Sequence, residues 1–252
     1  MSRGAGSREA RSDLIEHLKF LREMGVKEIR LGAAPAGAAA AAAPARPSAS
    51  RPAPAKKAPA SSQKGAALAA LRDQEIGDCR RCRLCEARTK IVFGVGDPGA
   101  RLMFIGEGPG HDEDVQGIPF VGRAGMLLTD IIRAMNLTRE QVYIGNVVKC
   151  RPPENRTPEP DEIAACRGFL EEQIEIIAPS VIVCLGAVAV QVLVGASGGI
   201  TKIRGTLRDY RGIPVMPTFH PAYLLRNPSA KKDVWQDMKQ VMAILAGATG
   251  SS

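Results

Sequence analysis

The sequence predicts an α/β domain in which helices cover both faces of a parallel sheet. Three observations point to this class: short apolar runs that suit buried strands recur along the chain, amphipathic segments that suit helices separate them, and glycine or proline marks most junctions. A short run that is apolar on both faces is typical of a strand in a parallel sheet, and successive parallel strands need a crossover, usually a helix.

The individual elements follow from these patterns. Four apolar runs predict strands at residues 102–105, 142–148, 181–185 and 215–219. Five segments predict helices at residues 67–76, 125–135, 160–177, 187–194 and 229–246. The helix over 160–177 has the clearest limits, because Pro160 and Asp161 suit a first turn and Pro179 follows the last residue.

The chain before this domain has a different composition. Residues 1–31 contain an amphipathic helix, predicted over residues 13–30, which is marginal alone and is therefore expected to dock on its own domain or on a partner. Residues 32–65 are rich in Ala, Pro, Ser and basic residues and lack acidic ones, so they predict a disordered linker. The domain is expected at residues 66–247, with a short tail at 248–252.

Length and composition limit the function classes. The 252 residues, of which 45% are hydrophobic, suffice for one full core and an appendage. The net charge is +8, but residues 1–65 hold 12 Lys and Arg against 5 Asp and Glu, which leaves 22 against 21 elsewhere. The basic segment can attract phosphates without specificity, while the charge says little about what the folded part binds. No stretch resembles a membrane span or a signal peptide, so we expect a cytoplasmic protein.

Polar residues follow two predicted strands, and a third lies inside another strand. The first strand breaks into Gly-Glu-Gly-Pro-Gly at residues 106–110, where glycines expose backbone N–H groups and Glu107 adds a carboxylate. His220 follows the last strand, and Asn146 lies among apolar residues of the second, where a buried amide needs a partner. Ligands of parallel sheets bind at the carboxyl ends of the strands, so Glu107 and His220 are candidates for one site, while the partner of Asn146 is either the fold or a ligand.

The cysteines predict a metal site and not a disulfide framework, which is typical of short secreted chains. The candidate ligands are Cys79 and Cys82, in a Cys-x-x-Cys pair, together with Cys150 and Cys166 on either side of a proline-rich loop. One such pair with two distant cysteines favours an iron–sulfur cluster, while the spacing also leaves structural zinc open. Cys184 suits a buried apolar side chain within a strand, and the role of Cys85 stays open.

Several ordered motifs carry a resemblance to a known family. They are Gly-Glu-Gly-Pro-Gly at 106–110, Gly-Ile-Pro-Phe-Val-Gly-Arg-Ala-Gly at 117–125, Asn-Val-Val-Lys-Cys-Arg-Pro-Pro at 146–153, and His-Pro-Ala-Tyr-Leu-Leu-Arg at 220–226. Over residues 72–246 the chain resembles the family 4 uracil-DNA glycosylases, the iron–sulfur members of their superfamily. The resemblance implies a three-layer α/β/α sandwich with a central four-stranded parallel sheet. It also implies hydrolysis of the N-glycosidic bond of uracil in DNA, which releases free uracil and leaves an abasic site.

The resemblance implies a role for each candidate residue. Glu107 would position or activate water, Asn146 would read the uracil edge, and His220 would hydrogen-bond the uracil oxygen where negative charge develops. The pocket around the base would be formed by Phe120, which would stack on it, and by the backbone of Gly106, Gly108, Pro109 and Gly110. The duplex would be contacted by a wedge, Leu224 and Leu225, and by Arg226 on phosphate.

The resemblance also implies a cofactor and partners. A structural [4Fe-4S] cluster would be held by Cys79, Cys82, Cys150 and Cys166, since glycosidic hydrolysis needs no electron transfer. We expect a monomer that acts on uracil-containing DNA at the nucleoid, without membrane contact, with a repair or replication protein as a possible partner of the N-terminal helix. One relative within the superfamily attaches covalently to uracil-containing DNA through a histidine in an Arg-rich insertion after the strand that bears the Asn. Residues 150–160 contain neither a histidine nor an insertion, so the resemblance implies release of uracil and not covalent capture of the DNA. The alternatives are a metal-stapled nucleic-acid-binding module without catalysis and an interaction protein.

Overall fold

The computed structural model describes residues 15, 18–19, 21–25, 60–196 and 198–247. Its strands are β1 (Val95–Gly96), β2 (Leu102–Gly106), β3 (Tyr143–Asn146), β4 (Val181–Leu185), β5 (Arg208–Tyr210) and β6 (Ile213–Thr218). Its helices are α1 (Ala60–Ala70), α2 (His111–Gln116), α3 (Arg123–Ala134), α4 (Pro160–Ile177), α5 (Ala187–Val194), α6 (Ile200–Ile203), α7 (Pro221–Arg226) and α8 (Lys231–Gly247). A π-helical turn, Leu71–Ile76, continues α1.

The six strands form one sheet in the order β1-β3-β2-β4-β6-β5. The four central strands are parallel and correspond to the four predicted strands, which confirms the predicted fold class. The edge strands β1 and β5 pair antiparallel and were not predicted, because runs of two and three residues are too short for a recognisable pattern. In the register of β2 and β3, Gly106 lies opposite Asn146, so the glycine turn begins beside the amide.

Alternate residues of β2 face two separate apolar cores. Met103 and Ile105 pack in a cluster with residues of α1, α4 and α5, while Leu102 and Phe104 pack in a cluster with residues of α3 and α8. All four side chains are buried. Helices therefore cover both faces of the sheet, as its continuous apolar strands require.

The observed limits of a helix agree with the predicted ones where the sequence has an apolar stripe. The limits of α4 and α5 are those predicted, and α3 and α8 begin and end within two residues of the predictions. The sequence did not predict α2, α6 or α7, which have four to six residues each and begin directly after turns. Two of them, α2 and α7, follow the turns after β2 and β6.

The predicted linker ends earlier than expected. Residues 60–65 belong to α1, and the Lys64 ammonium donates a hydrogen bond of 2.7 Å to the carbonyl of Ile177 at the end of α4. This part of α1 is rich in small residues and lacks an apolar stripe, so composition alone assigned it to the linker. The rest of the predicted linker and the tail at 248–252 lie outside the described residues.

The N-terminal segment packs on the domain through its described residues. Helical conformation is present at residues 15, 18–19 and 21–23 and is followed by a turn at Met24 and Gly25, while residues 26–30 of the predicted helix lie outside the described residues. Gly25 has a φ of 81°, a conformation that glycine adopts without strain. Met24 lies in the apolar cluster of α8, and Lys231 forms a 2.6 Å ion pair with Glu23.

Candidate active site

A cleft of about 520 Å³ opens at the carboxyl ends of β2, β3 and β6. The sequence-predicted residues that line it are Glu107, Gly108, Pro109, Gly110, Phe120, Asn146, His220 and Arg226. The structure therefore brings the carboxylate after the first parallel strand and the imidazole after the last into one cavity. The sequence did not predict the other wall, which is the loop from Pro152 to Pro158 before α4.

Gly106 lets two side chains of the cleft approach each other. A Cβ atom at this position would collide with Asn146 Oδ1 and would lie 2.6 Å from Phe120 Cζ. The Asn146 side chain is 1% exposed, and its Oδ1 has no hydrogen-bond partner among the described residues. A buried polar atom without a partner costs about 1–3 kcal/mol, so the site favours a ligand that donates a hydrogen bond to it.

Phe120 closes the cleft from an unusual backbone conformation. Its φ is 54°, in the left-handed region that bulky residues avoid. Its ring is 6% exposed, and its centroid lies 5.5 Å from that of His220, with 34° between the ring planes. Gly125 accommodates the turn, since a Cβ atom there would collide with the Phe120 carbonyl. The surrounding structure thus fixes an aromatic face beside the imidazole.

Glu113 and Arg139 hold this turn on both sides of Phe120. Glu113 Oε1 accepts from the N–H groups of Val121 and Gly122 at 3.0 and 3.1 Å, and its Oε2 accepts from Gly110 N at 3.1 Å. Arg139 donates to the carbonyl of Pro119 at 2.8 Å. Sequence reasoning missed both residues, although Glu113 stands three residues after Gly110, the N-cap of α2, at the spacing from which a glutamate can accept from the N-cap N–H.

His220 is held as a neutral ring. Its Nδ1 accepts a 3.1 Å hydrogen bond from the backbone N–H of Ala222 in α7, which places the proton of the neutral imidazole on Nε2. Burial lowers the pKa of His220 to about 4, and the positive charge of Arg226 acts in the same direction, opposed by Glu113. At neutral pH the ring therefore offers an Nε2–H donor without carrying a charge.

Glu107 lies partly buried in the cleft at the turn after β2. Burial raises the pKa of its carboxyl group, and a hydrogen bond from the Thr157 side chain opposes this effect. Thr157 belongs to the loop before α4, which also places Asn155 in the cleft with a φ of 56°. Sequence reasoning missed this loop contribution, because no local pattern indicates that residues 152–158 fold back over the glycine turn.

The predicted DNA wedge is corrected in part. Leu224 has no exposed surface and packs in the apolar cluster of α3 and α8, so its side chain does not point toward a bound duplex. On α7 the next residue, Leu225, is 39% exposed, and Arg226 lines the cleft. Of the three residues of this prediction, Leu224 is buried, Leu225 is exposed and Arg226 faces the cleft.

The four candidate ligand cysteines line one small cavity of about 20 Å³: Cys79, Cys82, Cys150 and Cys166. Two of the sulfur atoms have polar neighbours, since Arg88 Nη1 lies 3.4 Å from Cys150 Sγ and the Lys149 N–H lies 3.3 Å from Cys166 Sγ. Within the described ranges, no three Cys, His, Asp or Glu side chains stand as ligands of a metal ion. Cys85 does not line the cavity, and Cys184 is fully buried in β4.

In the ranges that the structure describes, no helix has the length and apolar character needed to cross a membrane.

The sequence profile of the Uracil DNA glycosylase superfamily matches residues 93–239. A Type-4 uracil-DNA glycosylase of Thermotoga maritima is 50% identical over 182 residues, which cover 71% of this chain and 95% of the relative.

Two archaeal relatives support the same assignment. A Type-4 uracil-DNA glycosylase of Sulfurisphaera tokodaii is 46% identical over 177 residues, covering 67% of this chain and 80% of the relative. One of Archaeoglobus fulgidus is 41% identical over 176 residues, covering 67% and 88%. With a profile match over more than half of its length and three relatives covered over 80% to 95% of theirs, the chain belongs to the uracil DNA glycosylase superfamily.

Proposed function

We propose that this chain is a DNA repair enzyme, a uracil-DNA glycosylase that hydrolyses the N-glycosidic bond of uracil, releases the free base and leaves an abasic site. The observation that carries the proposal is the buried Asn146 oxygen without a partner in the cleft. Uracil presents an N3–H donor to such an acceptor, whereas cytosine presents a lone pair at the same position. With cytosine bound, the Asn146 oxygen and the N3 lone pair would face each other as two acceptors without a proton between them, so the site rejects cytosine.

The base would have to leave the duplex to reach Asn146, because the amide lies at the floor of a cavity. Phe120 offers its ring as a stacking surface for the extruded base, and Gly106 leaves the space between that ring and the amide. The main chain from Gly108 to Gly110 closes the side of the pocket. The bound base would thus be recognised by one polar edge and one aromatic face.

Cleavage of the glycosidic bond leaves positive charge on the sugar and negative charge on the departing uracil. The Nε2–H of neutral His220 would donate to a carbonyl oxygen of the base as that charge develops, in a partly dry cavity where such a bond is strong. Glu107, in its ionised form, would position or activate the attacking water and face the positive sugar.

The cysteine cavity fits a [4Fe-4S] cluster by the chemistry of its donors. Cys79, Cys82, Cys150 and Cys166 supply four sulfurs on one apolar cavity, and Arg88 offsets the negative charge of a thiolate. Each cysteine of such a cluster binds a different iron, so an arrangement around one ion is not required. We assign the cluster a structural role, because the reaction transfers no electrons.

Contacts to DNA would come from α7 beside the cleft. Arg226 would bind a phosphate, and the exposed Leu225 would fill the space that the extruded base leaves in the duplex. The N-terminal segment keeps a second apolar surface, since Ile15 and Leu18 are 46% and 45% exposed. We assign this surface to a repair or replication partner, independent of catalysis.

The test is release of base from a single-uracil oligonucleotide by the purified chain in EDTA, with free uracil quantified by chromatography. We expect multiple turnovers, no protein–DNA adduct that survives denaturation, and absorbance and iron content of a cluster. H220A should lose most of the excision while its affinity for DNA stays close to that of the unsubstituted protein. No uracil release by the unsubstituted protein would favour the noncatalytic binding module instead.

A further inference from the structure

A buried carboxylate joins the cysteine site to the cleft. Glu162 has no exposed surface and lies in the first turn of α4, one turn before Cys166. Its two oxygens accept from the Arg156 guanidinium at 2.6 and 2.8 Å, and one also accepts from Glu159 N at 2.8 Å. A buried charge is costly unless it is paired, so loss of either partner of the Glu162–Arg156 pair would be strongly unfavourable.

A second arginine reaches the same carboxylate from the cysteine loop. Arg83 Nε lies 3.2 Å from Glu162 Oε1, and Arg83 begins the short helical turn directly after Cys82. Glu162 therefore contacts the first cysteine segment through Arg83, and its own helix carries Cys166. Both halves of the cysteine site are connected to this one side chain.

Arg156 carries the connection onward to the cleft. Besides its two bonds to Glu162, its Nη1 donates to the Thr157 carbonyl at 3.0 Å. Thr157 stands between Arg156 and Pro158, which line the cleft together with Glu107, and its hydroxyl favours the ionised form of that carboxyl group, which lowers the pKa of Glu107. Three of the five N–H donors of the Arg156 guanidinium are used in these bonds, which fixes its position within the cleft wall.

We propose that Glu162 is a positioning residue, which holds Thr157 against Glu107 through Arg156 and thereby couples the alignment of Glu107 to the cysteine site. The inference rests on the proposed function, because it assigns Glu107 to the water. It extends that function by naming Glu162 as the residue through which the structure of the cysteine site affects the position of Glu107. The coupling passes through side-chain contacts and does not require that the cysteine site take part in the reaction.

The direction of the pH effect follows from the groups around Glu107. The titratable or charged residues that share its cleft are Glu113 of α2, Arg156 of the loop before α4, His220 after β6 and Arg226 of α7. The Thr157 hydrogen bond favours the ionised carboxylate, so its loss raises the pKa of Glu107. The acidic limb of the rate profile then moves to higher pH, because a larger fraction of Glu107 is protonated.

Three variants test the coupling in single-turnover excision measured across pH. E162Q keeps the shape of the side chain but removes the charge that holds Arg156, and we expect excision roughly tenfold to hundredfold slower with an upward shift of the acidic limb. T157V removes the hydroxyl without touching the ion pair and should shift that limb by on the order of one pH unit. T157S retains the hydroxyl and should restore the original profile.

The matched control is E171Q, on the same helix. Glu171 pairs with Arg167 and Arg211 at 2.6 and 2.9 Å, but it does not line the cleft or the cysteine cavity. We expect its rate and pH profile to match those of the unsubstituted protein. Iron content and far-UV circular dichroism of all variants should equal those of the unsubstituted protein, which separates misalignment of Glu107 from loss of the cysteine site.

Two results would overturn the inference while the proposed function stands. The first is an unchanged rate and acidic limb in E162Q when the unsubstituted protein is active. The second is a loss of activity in E162Q that follows loss of iron, with T157V unchanged, since Glu162 would then support only the cysteines. Failure of the unsubstituted protein to release uracil would instead contradict the proposed function.

Discussion

Gly106 is the position where one added methyl group tests the geometry of the pocket most sharply. Its backbone is not in the left-handed region, so alanine fits the local conformation. The new Cβ atom would nevertheless collide with Asn146 Oδ1 and lie 2.6 Å from Phe120 Cζ, and both side chains must move. Overpacking of this kind costs about 1–3 kcal/mol, and displaced recognition groups lower the rate further.

We therefore expect G106A to excise uracil roughly tenfold to hundredfold more slowly, measured as kcat/KM on a single-uracil oligonucleotide. The matched control is G168A in α4, because a Cβ atom there meets nothing within 4 Å. G168A should keep the rate and gain about 0.5–1 kcal/mol of stability, since alanine favours helix more than glycine does. A G106A rate equal to that of G168A would refute the assignment of the pocket to the space between Asn146 and Phe120.

Three further predictions concern stability and DNA contact. Because the folded state holds His220 with a pKa of about 4 against an ordinary value of 6.5, the free energy of unfolding should fall by about 3 kcal/mol as pH drops through this window. H220Q should lack that part of the pH dependence. Removal of residues 1–59 should leave excision intact but lower Tm, because burial of Met24 contributes about 1.5–3 kcal/mol. L224A should destabilise the fold by about 2–5 kcal/mol, whereas L225A should weaken excision from duplex DNA without affecting stability.

Each of these predictions has a contrary outcome. Equal pH dependence of unfolding in H220Q and the unsubstituted protein would show that the imidazole is not held neutral by burial. Loss of excision on removal of residues 1–59 would place the N-terminal segment in the catalytic machinery. Equal loss of stability in L224A and L225A, followed by chemical denaturation, would contradict the difference in their exposure.

The parts of the fold that the sequence predicts are those with a strong local signal. The central strands are apolar on both faces, and α4 has proline at its first position and another shortly after its end, so their limits can be read directly. The edge strand β1 has two residues and owes its conformation to pairing with β3, which no local pattern reveals. Residues 60–65 look like linker because their helix packs through Lys64 and small side chains.

The candidate site shows the same division. Glu107 and His220 stand out because they are polar residues at the ends of apolar strands, and Asn146 stands out as an amide within one. Glu113, Arg139 and Glu162 act on the site through contacts with residues 6 to 20 positions away in the sequence, so only the fold reveals them. Leu224 and Leu225 are equivalent in sequence, and their opposite exposure depends on which face of α7 meets α3.

The measurement that tests the central claim most directly is base release by N146A and the unsubstituted protein from paired oligonucleotides that differ only in uracil or cytosine. Recognition through the buried Asn146 oxygen predicts release of uracil alone by the unsubstituted protein, and a rate reduced roughly a hundredfold or more in N146A with unchanged iron content. Uracil release by N146A at the original rate, or release of cytosine by the unsubstituted protein, would contradict it.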